Sequence, residues 1–146
     1  MTKSVIRAVK STDTPALAAI HQAAFAPGWT SAAMTALLRN GARGWIADGN
    51  MQPIGFVLVR GAADEAEVLS LAVLPGARRN GLGAALLDTA CKGMAHKGVK
   101  KMFLDVSEAN DGARKLYEQA GFIRTGVRPH YYEDGAAAVL YERLLM

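Results

Sequence analysis

The spacing of apolar residues changes several times along the chain, and each change predicts an element. Ser4 to Val9 reads as a short strand. Thr14-Pro15 then sets a capping residue before proline at the first helical position, and Leu17, Ile20 and Ala24 share one face, which predicts a helix to about Phe25. After Pro27-Gly28-Trp29, the pair Thr30-Ser31 caps a second helix carrying Met34, Leu37 and Leu38 and ending at Asn40-Gly41. Trp45 to Ala47 and Ile54 to Val59 read as the strands of a hairpin turning at Asp48-Gly49-Asn50, since Asp-Gly supplies the positive φ such turns need.

Glu67 to Leu74 is the next strand, and its continuous apolar run suits burial on both faces at the centre of a sheet. From Leu82 the pattern becomes helical, with Leu86, Leu87, Ala90, Cys91 and Met94 on one face, and Gly98 closes it before a strand at Lys101 to Val106. Asn110 caps a helix with Ala113, Leu116, Tyr117 and Ala120, ended by Gly121; strands near Phe122 to Val127 and Ala138 to Leu144 follow. The order predicts a mixed central sheet flanked by helices, antiparallel in its first half, with one parallel step across a right-handed crossover. The expected class is α+β, an α/β/α three-layer fold, as a single domain over residues 1–146.

Composition narrows the function. A chain of 146 residues, 51% hydrophobic and 21% charged, can pack a core without disulfides or metals. There is no run of eighteen apolar residues and no apolar stretch in Met-Thr-Lys-Ser-Val-Ile-Arg, so no membrane partner is expected and the predicted location is cytoplasmic. Cys91 is alone, and His21, His96 and His130 stand far apart, so no metal is expected. The net charge of +4 is scattered, without an arginine-rich tract or interleaved aromatics, which argues against nucleic acid.

Arg78 and Arg79 beside a glycine loop point instead to a phosphate-bearing cofactor. The strand ending at Leu74 leads through Arg78-Arg79-Asn80-Gly81-Leu82-Gly83-Ala84 into a helix, so backbone N–H groups and the positive helix end can converge on phosphate. Gly81 and Gly83 admit close approach; alternatively, the glycines only shape a loop and the arginines only solvate it. A P-loop is excluded because neither Lys nor Ser/Thr follows Gly83, and a dinucleotide fingerprint needs a third small residue where Leu86 stands.

The segment Leu71-Ala72-Val73-Leu74-Pro75 followed by Arg79-Asn80-Gly81-Leu82-Gly83-Ala84 resembles the central motif of the GNAT family of N-acetyltransferases, with its strand before and its helix after. Asn110, Ala113, Leu116-Tyr117-Glu118 and Gly121-Phe122, about thirty residues on, resemble the family's second motif. His21 to Phe25 with Trp29-Thr30, and Arg128-Pro129-His130-Tyr131-Tyr132, are similar to the ribosomal-protein-alanine N-acetyltransferase (RimI-type) subfamily. Ala136-Ala137-Ala138 and Tyr141 depart from the acidic, methionine-containing ending of that type.

The resemblance implies an acetyl-CoA-dependent N-acetyltransferase that transfers acetyl directly to an amine. It places coenzyme A against Leu71, Ala72 and Val73, whose backbone N–H groups polarise the thioester carbonyl, against the Arg78 to Ala84 loop and against Asn110. It also implies Tyr117 as general acid near the sulfur; by pattern alone Tyr117 is equally a core residue. Two carboxylates compete as base. Glu67 sits where many relatives carry a catalytic glutamate, while Asp105, twelve residues before Tyr117, stands where the RimI type has its glutamate. A carboxylate between Leu104 and Val106 in a central strand needs a partner or a function, whereas Glu67 can be read as a solvated strand start.

The expected acceptor is a protein or peptide N-terminus, such as that of a ribosomal protein, held by Phe25, Trp29, Tyr131 and Tyr132. A small amine or amino acid is the alternative acceptor, and a non-catalytic acyl-CoA-binding module the alternative class. An α-amine titrates near ~7.7–8.0 against ~10.4 for lysine, so the demand on a base is mild and a relayed water could suffice. Cys91 lies on an apolar helix face with no histidine at hand and reads as core rather than as an acyl carrier.

Overall fold

The apolar runs of the middle of the chain form the inner strands of a seven-stranded sheet ordered β1-β2-β3-β4-β5-β7-β6. The computed structural model describes residues 4–25, 27–78 and 81–145. In chain order the elements are β1 (Ser4–Ala8), α1 (Thr14–Ala24), α2 (Ser31–Arg39), β2 (Arg43–Gly49), β3 (Gln52–Ala62), β4 (Glu65–Val73), α3 (Leu82–Ala95), β5 (Lys101–Ser107), α4 (Asp111–Gln119), β6 (Ile123–Arg128) and β7 (Ala138–Leu144). All strand pairs are antiparallel except β4 with β5. The parallel step falls where the crossover through α3 was expected.

The N-terminal hairpin turns two residues later than the Asp-Gly signal suggests. Gly49 pairs with Gln52, and the loop is Asn50-Met51, at φ 52° and 65°. A two-residue loop whose twist matches the strands needs positive φ at both central positions, which Asn50 adopts readily and Met51 adopts fully exposed. The penultimate strand starts at Ile123, because the Phe122 side chain is buried in the core against Tyr117.

Two cores sandwich the sheet. On one face Leu86, Leu87, Ala90, Cys91 and Met94 of α3 meet Val57 and Val59 of β3, Ala66 and Val68 of β4, and Met102, Leu104 and Val106 of β5. On the other, Leu17 and Ile20 of α1 and Met34 of α2 meet Ile46, Phe56, Leu58 and Ala72. Helices on both faces make the three layers. Leu86 and Leu87 are fully buried, and emptying either site to alanine costs about 2–5 kcal/mol.

A register shift lets β4 serve both cores. Leu58 pairs with Ser70 and Val59 with Val68, so β4 carries one extra residue at Leu69. Ala66 and Val68 before the bulge, and Leu71 and Val73 after it, therefore pack toward α3, while Leu69 and Ala72 pack toward α1. Beyond the bulge β4 also leaves β5. Their ladder covers only Glu65–Glu67 with Lys101–Phe103, although β4 continues to Val73 and β5 to Ser107. The sheet opens into a V at that point.

Candidate active site

The V is the floor of a cleft of about 710 Å³, within the ~300–1,000 Å³ of small-molecule sites. One wall is the free edge of β4 at Leu71, Ala72 and Val73; the other is α4, with Asn110, Gly112, Ala113, Leu116 and Tyr117. Phe25, at the end of α1, closes one side, and Arg78, Gly81, Leu82, Gly83 and Ala84 close another. Past Glu67 the β4 edge facing the gap has no ladder partner from β5, so its backbone groups, apart from the Val73 C=O taken by Arg78, remain for another extended chain.

The start of α3 is shaped for an anion. Gly81 occupies the cap position at φ 75°, a conformation side chains resist, and no side chain caps the helix. The first helical bond runs from Ala85 N–H to Gly81 C=O at 3.0 Å, which leaves the earlier N–H groups without helical partners. No acidic residue stands in that first turn. By contrast, α4 is closed by the Asn110 side-chain Oδ1 accepting from Ala113 N–H at 3.1 Å and has Asp111 in its first turn. Gly83 faces α4: a Cβ there would stand 3.0 Å from Leu116 Cδ2, so the two helices approach closely beside the cleft. Arg78 Nε donates to Val73 C=O at 3.0 Å, holding the loop against β4. Arg79 and Asn80 lie outside the described residues.

On the opposite face, the C-terminal strands bear a second opening of about 290 Å³, lined by Glu67, Phe103, Asp105, Thr125, Arg128 and Tyr131 among others. Alternation along β5 explains it: Met102, Leu104 and Val106 are buried toward α3 and α4, and Lys101, Phe103 and Asp105 point away from them. Lys101 Nζ lies 3.6 Å from Glu65 and 3.4 Å from Glu142. Among the described residues, Glu67 and Asp105 have no ion pair. The structure thus brings both predicted carboxylates to one groove.

Tyr117 stands on the cleft side. It is 9% exposed, packs edge-on against Phe122 at 5.9 Å, and lines the cleft. Burial, followed by the charges of Asp105 and Tyr132, pushes its pKa up to about 12. Tyr132 is raised in the same way, by burial first and then by Asp105. The Asp105 charge thus bears on both Tyr117 and Tyr132, which puts the three in one neighbourhood.

The four predicted aromatics fall into two groups. Phe25 and Trp29 surround the buried His21, at ring distances of 4.6 and 4.4 Å. Tyr131 and Tyr132 pair edge-on at 5.1 Å, with the Arg128 guanidinium 5.7 Å from the Tyr131 ring centre. His21 and the neighbouring Gln22, which hold the Trp29 backbone, entered the sequence reading through the resemblance of residues 21–25, with no role attached to either.

A splayed parallel strand pair with an uncapped helix start at its mouth makes a small-molecule site at the centre of a mixed sheet. The chain belongs to the acetyltransferase (GNAT) family, whose model matches residues 14–122. The [ribosomal protein bS18]-alanine N-acetyltransferase of Escherichia coli strain K12 is 30% identical over 129 residues, 88% of this chain and 87% of that protein. The N-alpha-acetyltransferase of Sulfurisphaera tokodaii is 40% identical over 74 residues, 50% of this chain and 44% of that protein. Among solved structures, the ribosomal-protein-S18-alanine N-acetyltransferase from Escherichia coli superimposes with a TM-score of 0.90 at 29% identity, covering 98% of this chain and 94% of that one. Ard1 from Thermoplasma volcanium does so with a TM-score of 0.88 at 26% identity, covering 98% of each chain. The protein is an N-acetyltransferase.

Proposed function

We propose that the enzyme transfers acetyl from acetyl-CoA to the N-terminal α-amine of a protein, such as a ribosomal protein, in the cytoplasm. The observation that carries this reading is a pair of openings, one holding Tyr117 beside an uncapped helix start and one lined by Glu67 and Asp105, with the Asp105 charge bearing on Tyr117. Acetyl-CoA fits the first. The N–H groups opening α3, the backbone of Gly81 and Gly83, and the cations Arg78 and Arg79 would hold its pyrophosphate, with Asn80, Leu82 and Ala84 completing the loop. The unpaired edge of β4 at Leu71, Ala72 and Val73 suits an amide-bearing chain laid alongside it, and the Asn110 end of α4 faces the same space. Bound there, acetyl-CoA supplies the activated acetyl thioester.

The residues of this chain then divide the work. Backbone N–H groups of β4 polarise the acyl carbonyl. The Tyr117 hydroxyl, held neutral by burial, donates the proton the departing thiolate takes up. Asp105 is the favoured base because its charge bears on Tyr117; Glu67, in the same groove, is the second candidate, directly or through water. Phe25, which lines the cleft, with Trp29 beside it across His21, and Tyr131, which lines the second opening, with Tyr132 packed on it, would flank an extended acceptor. The 88% span shared with the bS18-alanine enzyme supports a protein N-terminus over a small amine. The test is a comparison of kcat/KM for an alanine-initiated peptide, the same peptide with a blocked N-terminus, and small amines. The unblocked peptide should be preferred; turnover confined to small amines overturns the reading.

A further inference from the structure

Trp29 is held through both of its backbone polar groups by consecutive side chains of α1. Its N–H donates to His21 Nδ1 at 2.9 Å, and its C=O accepts from Gln22 Nε2 at 3.0 Å. The indole stacks on the His21 imidazole at 4.4 Å with the planes 14° apart, and the Phe25 ring leans on the other contact at 4.6 Å. Between them Gly28 lies so close to α1 that a Cβ would stand 2.4 Å from the Gln22 Cα. The clamp therefore requires a glycine, a histidine and a glutamine at fixed places. His21 is 5% exposed, and its acceptor role requires the neutral ring with its proton on Nε2.

We propose that His21 is a positioning residue for the acceptor: by fixing Trp29 and Phe25 it sets the wall of the cleft against which the incoming amine is held. The inference rests on the assignment of Phe25 and Trp29 to the acceptor side. Phe25 lines the cleft together with Leu71 and Tyr117, so a displacement of the segment at Trp29 is felt beside the reacting atoms. The groups facing His21 are Phe25 and Trp29 on this segment and Phe56 of β3, none of them charged, and burial alone lowers its pKa.

His21→Phe keeps a stacking ring and removes the acceptor, while His21→Asn returns an acceptor oxygen about where Nδ1 stands. Steady-state kinetics with acetyl-CoA and an alanine-initiated peptide should show the peptide KM about five- to tenfold higher in His21→Phe, the worth of one hydrogen bond, with a smaller change in the acetyl-CoA KM and partial recovery in His21→Asn. Trp29→Ala and Phe25→Ala serve as the reference. If these two raise the peptide KM and a folded His21→Phe does not, the positioning role is overturned while the acceptor assignment stands. If neither reference variant moves the peptide KM, the acceptor assignment itself fails, and the inference with it. Should His21→Phe not fold, Trp45→Phe leaves Trp29 as the only indole in a chain that otherwise keeps its clamp. Its emission should then change as pH falls below the ordinary histidine value of ~6.5, where His21 protonates and loses its acceptor; emission flat down to the onset of unfolding overturns the proposal.

Discussion

Replacing Tyr117 by phenylalanine removes one oxygen and separates chemistry from packing. The ring is 9% exposed and keeps its edge-on contact with Phe122, and among the described residues the hydroxyl has no hydrogen-bond partner in the protein. Its loss should therefore change stability by less than about 1 kcal/mol, because no buried partner is left unsatisfied. The effect on turnover is of another size. Removal of a general acid lowers kcat by roughly 10²–10⁴-fold, which is about 3–5 kcal/mol at 1.36 kcal/mol per decade. The pKa of about 12 adds a pH signature. A phenol raised from 10 stays protonated through the alkaline working range, so Tyr117 should cause no fall in wild-type kcat between pH 8 and 10. Its sign in stability follows from the same shift: the folded state favours the neutral phenol, a contribution present below pH ~10 and lost as pH rises toward about 12. The assay is thiol release under saturating acetyl-CoA and peptide, alongside thermal melting. A Tyr117→Phe protein with unchanged melting and kcat within about threefold of wild type would return Tyr117 to the core.

Asp105→Asn should lower kcat/KM about 10²-fold and change its pH profile, with Glu67→Gln less affected, since Asp105 is the carboxylate whose charge reaches Tyr117. If both single variants and the double variant retain the wild-type profile, no side-chain base operates. Gly83→Asp should weaken coenzyme A binding at least tenfold in calorimetry by setting a carboxylate against phosphate. Gly83→Ala is the control for packing, because its Cβ meets Leu116 at 3.0 Å; unchanged affinity in folded Gly83→Asp removes the loop from the cofactor site.

Strands, helices and their order were legible because the apolar period switches cleanly and because caps mark the boundaries: Thr30 and Asn110 accept at their helix starts, as their residue types suggest. The parallel step was legible from the crossover alone. The turn at Asn50-Met51 was displaced from the Asp-Gly signal because strand pairing over Asp48 and Gly49 outweighs local turn preference. Hidden altogether was the V between β4 and β5, since it depends on where a ladder stops, and a sequence carries period but not pairing length. The shared groove of Glu67 and Asp105 follows from β5 alternation combined with the bare C-terminal face of the sheet, a tertiary fact. The role of His21 was hidden for a similar reason: its partner is a backbone N–H eight residues away across a loop.

The acceptor amine is decided by where the acetyl group ends up. A peptide that begins with alanine and carries an internal lysine, incubated with the enzyme and acetyl-CoA and fragmented by mass spectrometry, reports both amines in one molecule. With the α-amine titrating near ~7.7–8.0 and lysine near ~10.4, and with Phe25 on the cleft and Tyr131 on the second opening, the acetyl group should appear on the N-terminal alanine and be lost when that amine is blocked. Acetyl found only on the lysine side chain, or unchanged yield from the blocked peptide, would contradict N-terminal acetylation.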